Sequence, residues 1–191
     1  VASFGGNNAV KFDDLGMPSI MVGIPKMKYS DIITGGTQET LPWWIVDGVE
    51  KEVIWVSKYI NVVVNDRAYS LPMKDPKAYI DFDTALAVCR RKGEGWHLMT
   101  NTEFVYLLHE AEELGRIIGG NTNHGSNADN PQEKGVVYDS AGRTLTGCDP
   151  LTWSHDGTAG GVFGICGNFW EFVTGLRLHK GVVEYTKDND A

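Results

Sequence analysis

The sequence is poor in cysteine and has no long hydrophobic run, and these two absences exclude several classes of protein. Its 191 residues include only Cys89, Cys148 and Cys166, at no paired spacing, which argues against a disulfide framework. We therefore expect reduced thiols and synthesis in a reducing cytoplasm. No stretch reaches the roughly 18 apolar residues of a transmembrane helix, so we expect no membrane insertion. The first residues, VASFGGNNAV, also lack the basic-then-apolar layout of a signal peptide.

Positive charge is scarce as well. Lys and Arg number 17 against 25 Asp and Glu, which gives a formal net charge of −8. Because an acidic surface repels phosphate backbones, we expect no nucleic-acid partner. What the chain does contain is glycine, with 23 residues, and a hydrophobic fraction of 42% that includes six tryptophans. This composition is typical of a loop-rich globular protein with a real core.

Local patterns predict an α+β fold with two helices, short antiparallel strands and long ordered loops. We expect residues 1–18 to form an N-terminal arm and residues 19–191 to form one domain. The strands and helices do not alternate as βαβ units, which argues against a parallel sheet. Turn-forming residues predict hairpins at four places: Asp47–Gly48, Asn65–Asp66, Ala141–Gly142 and His179–Lys180–Gly181.

Both helices carry recognisable start signals. The first is predicted to begin at Asp81 or Asp83 and to end at Gly93. The second begins at Thr100, which with Glu103 has the spacing of a capping box. An apolar stripe predicts which face of the second helix meets the core. Its members are Phe104, Leu107, Leu108, Ala111 and Leu114.

No pattern in the sequence points to a catalytic centre. There is no Gly-x-Ser-x-Gly elbow or P-loop, the five histidines are scattered without zinc spacing, and Cys166 has no base nearby in sequence. We therefore expect no catalytic residues and no enzyme. Calcium is the metal that the residues favour, because Asn168, Glu171 and the carbonyls near Gly164 and Gly167 are hard oxygen donors.

The glycine-rich and aromatic-rich segment GGVFGICGNFWEFVTG, residues 160–175, is the most informative part of the chain. A loop-rich domain needs large aromatic anchors to offset its ordering entropy, so we expect Trp170 to plug the core. The residues with expected structural roles are Trp96, Thr100, Glu103, Gly167 and Trp170.

Four segments resemble motifs of the formylglycine-generating-enzyme (sulfatase-modifying factor) family. They occur in the family's order and span roughly residues 20 to 175. They are VIWVSKY (53–59), IDFDTALAVCRRKG (80–93), GWHLMTNTEF (95–104) and GICGNFWEF (164–172), the last resembling the family's GNVWEW signature. The resemblance implies a C-type-lectin-like fold with few regular elements and much ordered loop.

The sequence departs from the enzymes of that family. Formylglycine generators use a cysteine pair downstream of the GNVWEW motif, whereas no cysteine follows Cys166 here. The iron-dependent sulfoxide-synthase relatives need an additional His-rich helical domain, which is absent from this sequence. Met99 replaces the family's proline and Phe172 replaces the second tryptophan of the signature.

The pattern is closer to a noncatalytic branch, which includes phage tail or fibre proteins and the variable proteins of diversity-generating retroelements. The resemblance implies recognition of a host-surface protein or glycan by a virion tail or fibre or by a cell-surface protein. The ligand-contacting residues it implies are Trp153, His155, Asp156, Arg177, His179 and Tyr185. Two alternatives remain: an oxidase-like enzyme with copper or iron, and a structural virion subunit that forms a homo-oligomer.

Overall fold

Strands β1 (Asn8–Phe12), β2 (Pro18–Pro25) and β5 (Val53–Ser57) form the largest sheet, which is antiparallel with β2 in the centre. The structure, a computed structural model, describes Gly5 and residues 7–191. Residues 21–24 of β2 are all buried, because a central strand is covered on both faces. This sheet forms one wall of the core.

Three further strand pairs are tight hairpins. The turn dipeptides Asp47–Gly48, Asn65–Asp66 and Lys180–Gly181 all have positive φ, which two-residue hairpin turns require. The hairpins predicted at these places are therefore confirmed. The pairs are β3 (Ile45–Val46) with β4 (Val49–Glu50), β6 (Val62–Val64) with β7 (Arg67–Tyr69), and β8 (Leu176–His179) with β9 (Val182–Tyr185).

Two of the three helices were expected from the sequence. They are α2 (Phe82–Arg90), whose N-cap Asp81 accepts a bond from the Thr84 amide at 2.7 Å, and α3 (Asn101–Glu113). Both bonds of the predicted capping box at the start of α3 are present. The additional helix, α1 (Tyr29–Ile32), is a single turn. The chain is therefore a mixed α+β protein with short antiparallel strands, while the C-type-lectin-like fold stays a prediction.

The apolar stripe of α3 differs from the predicted one. Leu108 and Leu114 are exposed, and Tyr106 is buried instead. The stripe is rotated because the Tyr106 ring packs edge-on against Trp43 and Trp44, with centroids 5.1 and 5.2 Å away. The aromatic contacts of α3 thus decide which face of the helix is buried.

Trp44 lies at the centre of the main core. It ends a 3-10 turn, Pro42–Trp44, and its indole Nε1 donates to the Ile24 carbonyl at 3.0 Å. This bond attaches the turn to the central strand β2. The buried members of the cluster are Val22, Ile24, Leu41, Trp44, Val56, Tyr106, Leu107 and Val162.

The predicted N-terminal arm contributes a strand to the main sheet. Asn8 pairs with Val22 and Phe12 with Pro18, so residues on both sides of the predicted boundary at residue 18 share one sheet. Residues 1–4 and 6 of the arm lie outside the described part of the chain. Within the described part, no helix is long and apolar enough to cross a membrane.

Candidate functional site

The indole of Trp170 is the most unexpected feature of segment 160–175, because its side chain is fully exposed, at 103% of the reference area. The prediction of a core plug is therefore wrong. Within the segment, burial falls from buried residues 161–163 to exposed residues 170–172, and it rises again at Thr174. The tryptophan buried in the main core cluster is instead Trp44.

Tight turns fix the backbone immediately before Trp170. Gly164 and Gly167 have φ values of 88° and 70°, which favour glycine. At Gly167 a Cβ atom would also collide with the backbone of Asn121, to which this position forms a bridge. Gly167 thus has the structural role predicted for it, and Trp170 is held at the surface by an anchored loop.

A cavity of about 180 Å³ lies beside the exposed indole. Trp170, Glu171 and Phe172 contribute to its wall, and Phe172 also packs edge-on against Phe82 at the start of α2, with centroids 5.7 Å apart. The rest of the wall is largely apolar and includes Trp55, Val88, Trp96, Phe104 and Phe163. An exposed tryptophan next to an apolar cavity is a suitable arrangement for holding a ligand.

Trp96 stabilises another part of this wall. The ammonium of Lys92 lies 3.3 Å from the Trp96 ring centroid and donates to Ser19 Oγ at 2.8 Å. Burial lowers the pKa of Lys92 to about 8. The structural role predicted for Trp96 takes the form of a cation–π contact with a buried lysine.

The Glu171 carboxyl is one of two acidic groups that line the cavity, and the other belongs to Glu103. Glu171 as a residue is exposed, but the cavity wall desolvates its carboxyl and raises the pKa to about 7. Near neutral pH this group therefore exists both as a hydrogen-bond donor and as a charged acceptor. It can accommodate a ligand hydroxyl in either state.

Replacing Glu171 by glutamine should change how stability depends on pH. The folded-state pKa lies above the unfolded value of 4.5, so ionisation destabilises the fold as pH rises from 4.5 to about 7. We expect Glu171→Gln to melt at a higher temperature than the parent above this range and at the same temperature below it. Thermal unfolding followed by circular dichroism measures the melting temperatures at both pH values. Glu112→Gln, at an exposed residue of α3, is the control. If the parent and Glu171→Gln melt at the same temperature above this pH range, the pKa of Glu171 is not raised in the folded protein.

Asn168, one of the two predicted calcium ligands, is hydrogen-bonded within the protein. The Asn168 carboxamide accepts bonds from Asn121 Nδ2 and the Thr144 amide, both at 2.9 Å, and donates to the Thr144 carbonyl at 3.1 Å. Asn168 lines a different cavity from Glu171. In residues 5 and 7–191, no group of three or more His, Cys, Asp or Glu is arranged to hold a metal ion.

Trp153 and His155, predicted as ligand contacts, are buried instead. The Trp153 indole donates to Glu133 Oε2 at 2.9 Å. The His155 ring accepts from the Val162 amide through Nδ1 at 2.8 Å, and its Nε2 lies 3.1 Å from Glu110 Oε2. These hydrogen bonds engage the polar atoms of both side chains. Trp153 and His155 therefore hold the loop in place and do not face solvent.

Asp156 also serves its own loop. Its carboxylate accepts from the amide and hydroxyl of Thr158 at 2.8 and 2.9 Å. The same loop is held by buried Lys58, which donates to the carbonyls of Ala159 and Gly161 at 2.6 and 3.0 Å. Burial lowers the pKa of Lys58 to about 8, and the charge of Asp156 partly opposes this. Sequence patterns gave no indication of Lys58, because a buried lysine has no local signature.

The remaining predicted contacts, Arg177, His179 and Tyr185, are exposed on the β8–β9 hairpin. Arg177 and His179 both contact Glu184 on one face. The opposite face is apolar, and its four exposed members in paired positions are Leu176 with Tyr185 and Leu178 with Val183. The six predicted ligand residues are thus divided between a closed loop and an exposed hairpin.

The cysteines have the properties of structural thiols. Burial raises the pKa of Cys89 to about 11 and also raises the pKa values of Cys148 and Cys166. Because the thiolate is the nucleophile, a raised pKa disfavours covalent catalysis.

No protein-family model matches the chain, and no curated protein matches it. The C-type-lectin-like branch suggested by the sequence motifs therefore stays a prediction.

Proposed function

We propose that this chain is a noncatalytic recognition domain that binds a protein or glycan on a host surface. The observation that carries the proposal is the exposure of Trp170 beside an apolar cavity. Sites for ligands are typically concave and largely apolar, and tryptophan is enriched among residues that dominate binding energy. By resemblance to the C-type-lectin-like branch, the domain would belong to a viral tail or fibre or to a retroelement-diversified surface protein.

The size of the cavity indicates how a ligand would bind. At about 180 Å³, it is smaller than the roughly 300–1,000 Å³ of sites that enclose a whole small molecule. One side chain or one ring substituent would enter the cavity, while the rest of the ligand lies across the Trp170 indole. Glu171 at the same wall would hydrogen-bond to the inserted group.

The surroundings of the site support binding without turnover. The pKa values of all three thiols are raised, and the His155 ring is engaged on both nitrogens. The anchored turns at Gly164 and Gly167 hold the loop in one conformation. A preorganised loop loses less entropy on binding, which suits recognition.

Trp170→Ala should abolish most of the binding without unfolding the protein. The parent is expected to bind members of a glycan array or intact bacterial cells, and the variant should bind about thirtyfold more weakly, since a hot-spot residue contributes about 2 kcal/mol. Because the side chain is exposed, the melting temperature should not change. Ile117→Ala, at another apolar residue with 95% exposure, is the matched control and should bind like the parent.

Two results would overturn the proposal. Failure of the parent to bind any glycan or cell type, together with absence from virion proteomes, would remove its basis. If Trp170→Ala instead converts an oligomer to a monomer in sedimentation analysis, the indole is a contact between copies. The chain would then be better described as a structural subunit that forms a homo-oligomer than as a recognition domain.

A further inference from the structure

Tyr79 presents an aromatic ring to solvent from an unfavourable backbone conformation. Its side chain is 92% exposed and its φ is +52°, in the left-handed region that is unfavourable for a residue other than glycine. A ring that is exposed in this way adds nothing to the packing of the core. Such strain in a large residue persists only where the surrounding structure holds the residue in place.

Arg143 provides a fixed cation next to this ring. Its guanidinium carbon lies 5.2, 5.9 and 5.7 Å from the ring centroids of Tyr79, Tyr138 and Phe169. Asp139 holds the guanidinium from the side, through a bond from Nε at 2.5 Å. The terminal Nη groups have no acceptor among the described residues, so their donors remain available in a defined orientation.

The space between these groups is a cleft of about 300 Å³, at the lower end of the range for small-molecule sites. Asp75, Lys77, Tyr79, Tyr138 and Arg143 supply its polar and aromatic lining. Burial and a hydrogen bond to Asp75 raise the pKa of Tyr138, so its hydroxyl stays protonated and donates to that carboxylate. The cleft is thus a preformed set of donors, acceptors and one exposed ring.

The charge of the cleft indicates what it would hold. Lys77, Arg143 and Asp75 line the cleft, and Asp139, which lies outside the lining, neutralises Arg143 through their ion pair. Taken together these four charges sum to zero, so there is no net charge to attract an anion or a cation. Carboxylate acceptors and cationic donors side by side suit groups that both donate and accept, and hydroxyls are such groups. The apolar face of a sugar ring suits the flat ring of Tyr79.

We propose that this cleft is a glycan subsite that binds one neutral pyranose ring, stacked on Tyr79. Arg143 and Lys77 donate hydrogen bonds to the sugar oxygens, and Asp75 accepts from a sugar hydroxyl. Lys77 and Val63 line both this cleft and the cavity beside Trp170, so the two spaces adjoin. The subsite does not depend on the role proposed for Trp170, since it uses a different ring and different donors.

Two substitutions at Tyr79 separate binding from folding. Tyr79→Gly removes the ring and relieves the left-handed strain, so this variant should melt no lower than the parent. Tyr79→Phe keeps the ring and removes only the hydroxyl. Ile117→Ala serves again as the control for loss of an exposed apolar group elsewhere.

Binding of methyl glycosides, followed by saturation-transfer NMR and titration, tests the proposal. The probes are the methyl glycosides of glucose, galactose, mannose and N-acetylglucosamine, with methyl glucuronide as the anionic comparison. We expect a neutral pyranoside to bind at millimolar concentration, Tyr79→Phe and Ile117→Ala to retain its affinity, and Tyr79→Gly to weaken it about tenfold, as expected for loss of one stacking contact.

Three outcomes would overturn the subsite. These are the absence of binding by every neutral pyranoside, preference for the glucuronide, and unchanged affinity in Tyr79→Gly. None of these outcomes bears on attachment to cells or its loss in Trp170→Ala. Failure of the subsite and failure of the recognition role are therefore distinguishable.

Discussion

Trp44→Ala is expected to lower the free energy of unfolding by about 3–5 kcal/mol. Trp44 is 1% exposed, its Nε1 donates to the Ile24 carbonyl, and its ring packs edge-on against Trp43 and Tyr106. Truncation leaves a cavity between the sheet and α3 and an unpaired carbonyl in the central strand. Domains of this size are stable by only about 5–15 kcal/mol, so this one change removes a large part of the total.

Urea denaturation of parent and variant measures the loss. Trp170→Ala is the matched control, because it makes the same chemical change at an exposed position, and it should shift the free energy of unfolding by less than about 0.5 kcal/mol. Equal losses in the two variants would mean that the core is not centred on Trp44.

Glu103→Ala should destabilise the fold by about 3 kcal/mol, because one carboxylate satisfies three donors. Glu103 accepts from the Thr100 amide at 3.0 Å, from Asn189 Nδ2 at 3.1 Å and from His97 Nε2 at 3.0 Å. Alanine leaves all three without this acceptor at a buried position. Glu103→Gln should lower the free energy of unfolding by less, since the glutamine carbonyl oxygen can still complete the capping box.

The contribution of the His97–Glu103 pair should depend on pH. Burial disfavours the charged imidazole, but the hydrogen bond and charge of Glu103 outweigh it and raise the pKa of His97 above 6.5. A raised folded-state pKa gives stability that is complete below 6.5 and is lost as pH rises through the folded value. The difference in stability between the parent and Glu103→Gln should therefore narrow as pH increases.

Urea unfolding on both sides of this range measures the effect. Glu113→Ala, an exposed residue at the end of α3, is the control and should cost less than about 0.5 kcal/mol at either pH. If the difference in the free energy of unfolding between the parent and Glu103→Gln widens as pH rises, the Glu103 carboxylate does not stabilise the charged form of His97.

The parts of the fold that the sequence predicted correctly depend on neighbouring residues. The cap bonds of Asp81 and Thr100 join residues three positions apart, and the hairpin turns at Asp47–Gly48 and Lys180–Gly181 need only two residues with positive φ. Such geometry is determined by local backbone preferences. A single sequence is sufficient to find it.

The aromatic side chains of the candidate site could not be placed in this way. Trp153 was expected at the surface and Trp170 in the core, and the structure has the reverse. Both lie in loops without periodicity, so no pattern indicates which side of the chain is buried. Their positions depend on distant partners, such as Glu133 for Trp153.

The proposed glycan subsite illustrates the same limit. Tyr79, Arg143 and Phe169 come from three separate loops, and none of these loops carries a motif for the others. Only the tertiary structure shows that their side chains converge. The best signal in the sequence was composition, since a glycine-rich and aromatic-rich chain favours ordered loops that carry contacts.

The attachment of the β8–β9 hairpin has a practical consequence. Thr174 forms a bridge with Thr100 at one end of the hairpin, and Asn189 bonds to Thr100 and Glu103 at the other. Both ends are therefore fixed to the same helix start, and the exposed turn between them can change in length at a small entropic cost. Foreign peptides inserted at Lys180–Gly181 would be displayed on a scaffold whose core does not have to adapt to them.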